Sequence, residues 1–171
     1  MSLEQFTTRA EAAGSRVEMV ADWTAVSDVA TRLASRDRVV VAPSLAALSP
    51  ELMAALGSAG RLPDPTSPAE SVADAEVGVV AADLAVAETG SVLVFEDDLT
   101  DRVVSMLSLT LIQVVPRERI VDNLDDVAAR LSERPAAYAV LATASSRTAD
   151  IERSLTIGVQ GPAEVLVAVL G

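Results

Sequence analysis

The stretch "EVGVVAADLAVAETGSVLVFEDDLTDRVVSMLSLTLIQVVP", residues 76–116, decides how the chain is read. Residues 76–98 form two apolar runs, rich in valine, on either side of Thr89-Gly90. This is the pattern of two buried strands around a glycine turn. "DRVVSMLSL" at 101–109 reads as a short helix. "TLIQVVP" at 110–116 is again a continuous apolar strand, closed by Pro116, which lacks a backbone donor. Apolar strand, helix, apolar strand is the alternation of a sheet with helices packed on its faces.

Outward from this centre the alternation continues. Downstream, "DNLDDVAARLSE" at 122–133 opens with acids that complement a helix dipole and carries Leu124, Val127, Ala128 and Leu131 at helical spacing. "YAVLAT" at 138–143 reads as a buried strand, "TADIERSL" as a helix, and "PAEVLVAVL" at 162–170 as a closing strand. Upstream, a helix from Leu3 to Ala13 stops at Gly14, and "RVEMVA" at 16–21 reads as a strand. "TAVSDVATRLAS" at 24–35 has helical spacing, and "RVVVA" at 38–42 is a buried strand. "SPELMAAL" at 49–56 is a helix with a serine cap and proline in its first turn. Gly57–Ser71, with its prolines and small polar residues, is a long internal loop. The expectation is one α/β domain over residues 1–171, with a mostly parallel sheet and flanking helices.

Composition narrows the chemistry. The 171 residues are 50% hydrophobic and 2% aromatic, so the core is built from Ala, Val, Leu and Ile. There is no cysteine, histidine or lysine, and all 13 basic residues are arginine. Disulfides, thiolate or imidazole metal sites, Schiff bases and P-loop chemistry are excluded for these residues. The net charge of −12 repels nucleic acid and anionic lipid surfaces, and no run of arginines overrides it. No apolar run approaches the ~18 residues of a membrane span, and the N-terminus has no signal-peptide core. A cytoplasmic protein is expected, with no nucleic-acid or membrane partner and with room for an oligomer interface.

Four stretches are candidates for function. In "ASSRTADIE", 144–152, the end of a strand meets a small hydroxyl-rich turn. Ser145 and Ser146 offer hydroxyls, Arg147 a planar fork for carboxylate or phosphate, and a following helix its free N–H groups. The same residues are also compatible with a plain helix cap at Ser146 or Thr148, with Asp150 complementing the dipole. In "AETGS", Glu88 at a strand end is a candidate base or nucleophile beside Thr89, Gly90 and Ser91, or else a surface residue of a hairpin. In "GVQGP", 158–162, Gln160 and Gly161 either let backbone approach a ligand or make a tight turn. "EDDLTD", 96–101, lacks the spacing of a calcium loop and reads as a solvated acidic loop, so no metal site is expected.

Three of these stretches occur together and in order. "ADLAVAETGSVLV", "IQVVPRERIVDNLDDVAARL" and "SSRTADIERSLTIGVQGPAEVLV" resemble the lactate-utilisation protein C family (LutC/YkgG, the LUD domain), over about residues 77 to 170. The resemblance implies a NagB/RpiA/CoA-transferase-like α/β fold. It also implies an accessory or ligand-binding component of L-lactate oxidation to pyruvate, with no cofactor of its own and with iron–sulfur clusters in partner proteins. A small anionic ligand would meet Thr89, Gly90, Ser91, Ser145, Ser146, Arg147, Thr148, Asp150, Gln160 and Gly161, with Gly158 and Pro162 completing the last motif. Relatives commonly carry histidine where this chain has Gln160, and near Leu111 and Leu166, and Gly-Pro-Ser where it has Ala144-Ser145-Ser146. The alternative is an enzyme of the CoA-transferase and isomerase fold class that uses Glu88 as base or nucleophile on an anionic small molecule.

Overall fold

The computed structural model describes residues 2–35, 38–145, 147–149, 155–157 and 161–171. Helix α1 (Ser2–Ala13) is followed by β1 (Arg16–Val20), α2 (Trp23–Leu33) and β2 (Val39–Val41). Next come α3 (Pro43–Leu48), α4 (Pro50–Leu56), β3 (Gly60–Arg61) and α5 (Pro68–Ser71). The middle of the chain holds β4 (Val77–Ala81), β5 (Leu84–Val86), β6 (Ser91–Phe95), α6 (Leu99–Leu107) and β7 (Thr110–Pro116). Then follow β8 (Ile120–Val121), α7 (Leu124–Glu133), β9 (Ala139–Ala142), β10 (Arg147–Ala149), β11 (Leu155–Ile157) and β12 (Glu164–Leu170).

Among the described residues, six strands form the main sheet in the order β1-β12-β7-β4-β2-β3. Every neighbouring pair in it is parallel, as the apolar runs require. Val39, Val40 and Val41 of β2 are fully buried, and β12 is buried from Val165 to Val169. The caps stand where the sequence puts them. The Asp22 carboxylate accepts from Ala25 N–H at 2.9 Å, and Ser49 caps α4. Helix α3, "PSLAAL", has no strong signal in the sequence beyond its leading proline.

Four expectations are corrected. Gly57–Ser71 is not loop throughout, since Gly60–Arg61 pairs with β2 as the last strand of the main sheet and Pro68–Ser71 forms α5. Residues 76–98 make three strands, not two. β4 belongs to the main sheet, whereas β5 and β6 form an antiparallel hairpin in a second sheet of order β8-β5-β6-β9. The segment "YAVLAT" is not a buried strand. β9 lies at the edge of the second sheet, antiparallel to β6, with Ala139 and Leu141 exposed and Val140 and Ala142 half-buried. An edge strand has a strand neighbour on one side only, so its backbone edge and the flanks of its side chains are left open to solvent. The helix read at "TADIERSL" is also replaced where the chain is described. Thr148 and Ala149 lie in β10 and Leu155 in β11, and these two strands pair antiparallel. The remainder of that segment lies outside the described residues.

Two glycines set close approaches. Gly90 has φ +71°, and a Cβ there would collide with the backbone of Arg9 and Ala10 in α1. The hairpin turn is therefore a seat for α1, whose Phe6 and Ala10 are fully buried. Gly78 lets Ser108 and the Val104 carbonyl of α6 press on β4. Gly90→Ala combines left-handed backbone with a backbone clash, and is expected to destabilise the fold by roughly 2 kcal/mol or more. Urea denaturation of the purified variant would read this directly.

Candidate functional site

The two sheets part between adjacent residues. Ala82 N–H donates to the Val114 carbonyl of β7 at 2.8 Å, and Asp83 N–H donates to the Leu93 carbonyl of β6 at 2.8 Å. One residue thus belongs to the main sheet and the next to the second. The Asp83 carboxylate takes a two-pronged bond from Arg130 of α7, Nε to Oδ2 at 2.7 Å and Nη2 to Oδ1 at 2.8 Å. This guanidinium grip holds the Asp83 carboxyl below the usual aspartate range, against its partial burial. Strand β6 then shows one face to each side. Val92 and Val94 join the main core, while Leu93 and Phe95 pack with Leu84, Val86 and Val127 under α7. Extending that alternation by one residue places Glu96 on the side of Val94.

On that side lies a cavity of about 350 Å³. Val94 and Glu96 of the β6 end, Ser105 and Met106 of α6, and Leu111 and Gln113 of β7 line it. Tyr138, Val140 and Ala142 close another side, Thr143, Ala144 and Ser145 the rim after β9, and Gly161, Pro162 and Val165 the approach to β12. Helix α6 is fixed by a cap at its start and by a bond to α3. Asp98 accepts from Thr100 N–H at 2.9 Å, and Asp101 accepts from Ser44 N–H at 3.0 Å and so caps α3. The rim is tied down by a hydrogen bond between the Ser91 and Thr143 hydroxyls. Ala144 has φ +65°, a left-handed conformation that costs a residue with a Cβ about 1–2 kcal/mol.

Glu96 is the unusual member of this lining. It is 2% exposed, and its Oε2 has no hydrogen-bond partner among the described residues. Burial pushes its carboxyl above the usual glutamate range. Ser105 and Arg102 act against that shift and Asp101 with it. Ser105 is close enough to act on the carboxyl as a hydrogen-bonding neighbour, but no bond of normal geometry reaches Oε2, and Ser105 Oγ and Arg102 Nε are likewise buried without one. Arg102 lies over the Tyr138 ring at 4.1 Å instead, and its Nη2 donates to the Glu96 carbonyl at 3.4 Å. The acidic stretch 96–101 is therefore only partly a solvated loop. Asp97 and Asp98 are exposed, but Glu96 and Asp101 are buried. Among the described residues no group of acids is arranged to hold a metal ion.

The site residues expected from sequence divide into three groups. Ser145 and Gly161, with Pro162, line the cavity, and Ser91 reaches it through Thr143. Glu88 is exposed and accepts from Leu124 N–H at 3.2 Å, at the start of α7 and away from the cavity. Thr89 turns inward to accept from Ser91 N–H at 3.3 Å, and Gly90 seats α1. Arg147 and Thr148 lie in β10, opposite Ile157 and Thr156 of β11. Ser146, Asp150, Gly158 and Gln160 lie outside the described residues. Glu96, Ser105, Gln113 and Tyr138 were not among the expected residues. The alternation Val92, Val94, Glu96 was the available signal.

A second cavity of about 340 Å³ opens at the carboxyl ends of β4 and β7, lined by Asp83, Phe95, Arg119 and Arg134 among others. That is a common position for ligands in open α/β sheets. Its charges, however, largely satisfy one another. Asp83 is held by Arg130, and Arg134 pairs with Asp97 at 3.1 Å and lies over Phe95 at 4.0 Å. The first cavity is the better candidate because its polar groups are left wanting partners.

Comparisons with known proteins bear on the same region. The family model described as LUD domain matches residues 67–170. Lactate utilization protein C 1 of Bacillus mycoides (strain KBAB4) is 34% identical over 94 residues, covering 52% of this chain and 40% of the relative. Lactate utilization protein C of Macrococcus caseolyticus (strain JCSC5402) is 35% identical over 94 residues, covering 52% and 41%. The chain spans about two fifths of the length of these curated relatives. The crystal structure of a DUF162 family protein from Deinococcus radiodurans matches with a TM-score of 0.68 at 24% identity, over 99% of this chain and 96% of that one. This last is a likeness of fold.

The buried Glu96 and the half-buried Asp83 give opposite pH signatures. The raised carboxyl of Glu96 favours the fold while protonated, and that contribution is lost as pH rises from the ordinary glutamate range through the folded value. The lowered carboxyl of Asp83 contributes above the ordinary aspartate range and loses its contribution as pH falls through the folded value. Urea midpoints across pH are expected to show Glu96→Gln flattening the alkaline-side decline, and Asp83→Asn reducing the acid-side loss. Relief of the left-handed strain at Ala144, less the extra entropy glycine loses, predicts that Ala144→Gly is neutral or stabilises by up to about 1 kcal/mol in the same assay.

Proposed function

The chain belongs to the LUD domain family, and from that premise we propose that it serves L-lactate utilisation as a ligand-binding component. The ligand is a small hydroxy or oxo acid held in the cavity between the two sheets. One observation carries this reading. Two of the motif stretches singled out in the sequence, around Ser145 and around Gly161-Pro162, meet at the same cavity although they are separated along the chain. The names of the relatives supply the metabolic setting, and the cavity supplies a place for a ligand. Hydroxyls of Thr143 and Ser145 at its rim offer donors to a carboxylate, with Arg147 next along the chain as its cationic partner. This chain has neither cysteine nor histidine with which to ligate an iron–sulfur cluster. In this reading the redox centre sits in a partner protein, and the chain presents or senses the acid.

Thermal unfolding against L-lactate, pyruvate, inorganic phosphate and a coenzyme A ester tests the proposal, with Ser145→Ala and Arg147→Ala alongside. A ligand at a hundred times its dissociation constant stabilises the fold by about 2.7 kcal/mol. That corresponds to a rise in Tm of several degrees for a chain of this size. The expected outcome is a shift with L-lactate or pyruvate that is reduced in both variants. A shift with the coenzyme A ester alone would favour the CoA-transferase-like reading. No shift with any compound would remove the ligand-binding role.

A further inference from the structure

The cavity wall contains a chemical contradiction that a ligand would resolve. Glu96 is buried and aimed inward by the strand alternation, and its Oε2 is unpartnered. Ser105 Oγ, on the facing helix, is buried without a bond of normal geometry, although it is near enough to the Glu96 carboxyl to ease its ionisation. No arginine is among the described residues that line the cavity. Among the described residues, the charged groups that act on Glu96 are Arg102 and Asp101 of α6. Arg102 is engaged with the Tyr138 ring and the Glu96 carbonyl, and Asp101 with Ser44 N–H. β7 and the segment before β9 present only Gln113 and Tyr138.

An unpartnered buried acceptor is a cost to the fold, and such groups persist where function uses them. We propose that Glu96 is a ligand-anchoring residue whose carboxyl accepts a hydrogen bond from a hydroxyl or amino group of the ligand. This rests on the reading of the cavity as the ligand site. Much of the wall (Val94, Met106, Leu111, Val140) is apolar, with Gln113 and Tyr138 its further polar members, so the ligand class is a small molecule with a largely apolar body and a donor at the end that meets Glu96. A 2-hydroxy acid meets this requirement when its carboxylate faces the rim and its hydroxyl faces inward. A plain carboxylic acid of the same length does not. The raised affinity of the buried carboxyl for its proton supports the assignment, because a donor at the carboxyl would offset the missing solvation of the ionised form.

The test uses the full chain and two neutral isomers, benzyl alcohol and anisole, which differ in having or lacking an O–H donor. The readout is the 13C-methyl NMR signal of Met106, which lines the cavity and is one of four methionines. Benzyl alcohol is expected to bind about tenfold more tightly than anisole, the scale of one hydrogen bond to a carboxylate. L-lactate is expected to outbind propionate in the same way. In Glu96→Met both preferences should vanish while the apo Tm rises by a few degrees, since the variant removes an unpartnered buried acid and keeps the volume. Equal binding of the isomers in the wild type, or a preference that survives in Glu96→Met, overturns the anchoring role alone. A lowered apo Tm in Glu96→Met also overturns it, by showing that the carboxyl is structurally satisfied. If no probe moves the Met106 signal, the cavity is not a ligand site and the functional reading falls with it.

Discussion

The structure depends on the parting of two sheets between Ala82 and Asp83. Ala82 still bonds to β7, and Asp83 already bonds to β6. With no linker between these commitments, the second sheet has little freedom to drift relative to the first. The bidentate bond from Arg130 to Asp83 reinforces the point and draws α7 onto the outer face of β6. A partly buried, geometrically matched pair of this kind resists solvent screening better than the exposed pairs elsewhere on the chain. The inner face of β6 is thereby held against the main core, and the cavity is the space this arrangement leaves unfilled.

Composition explains why space remains. With aromatic residues at 2%, few large side chains are available to fill gaps between layers. Two of the four aromatics stand at cavity walls, Tyr138 at the first and Phe95 at the second. Elsewhere the small residues allow close approach, as where Gly90 seats α1 and Gly78 admits α6. Both contacts bear indirectly on the site. α6 carries Ser105 and Met106, and the turn at Gly90 leads into Ser91, which fastens the rim through Thr143. Every residue lining the first cavity falls within the region that matches the LUD domain model.

The polar inventory of the two cavities separates them. At the second, the charges are largely matched with one another. At the first, Glu96 and Ser105 of the lining, and Arg102 against the Tyr138 ring, each retain a buried atom without a partner. Buried polar groups in folded proteins are nearly always satisfied, so a cluster of exceptions points to a missing partner more strongly than cavity volume does. The same cluster explains why the acidic stretch 96–101 misled the reading of the sequence. A run of acids normally faces water, but here the strand alternation carries Glu96 inward, and the need to cap α3 engages Asp101.

The sequence by itself determined the fold class, most elements and their caps. Valine runs such as Val39–Val41 and the run ending in Leu170 have no polar face, so they belong inside a parallel sheet whatever their partners. Asp22, Ser49 and Asn123 cap their helices through local geometry. It also determined which motifs mark the family. Tertiary structure alone decided that Leu84 to Val86 leaves the sheet of Val77 to Ala81, that "YAVLAT" is an edge strand, and that Leu124 and Leu131 of α7 stay largely exposed. It likewise decided that Glu96 faces a cavity while Glu88 meets the start of α7. The reason is the range of the forces involved. Periodicity and capping are set by neighbours within a few residues, whereas sheet membership and burial depend on hydrogen bonds and packing between segments far apart in the chain.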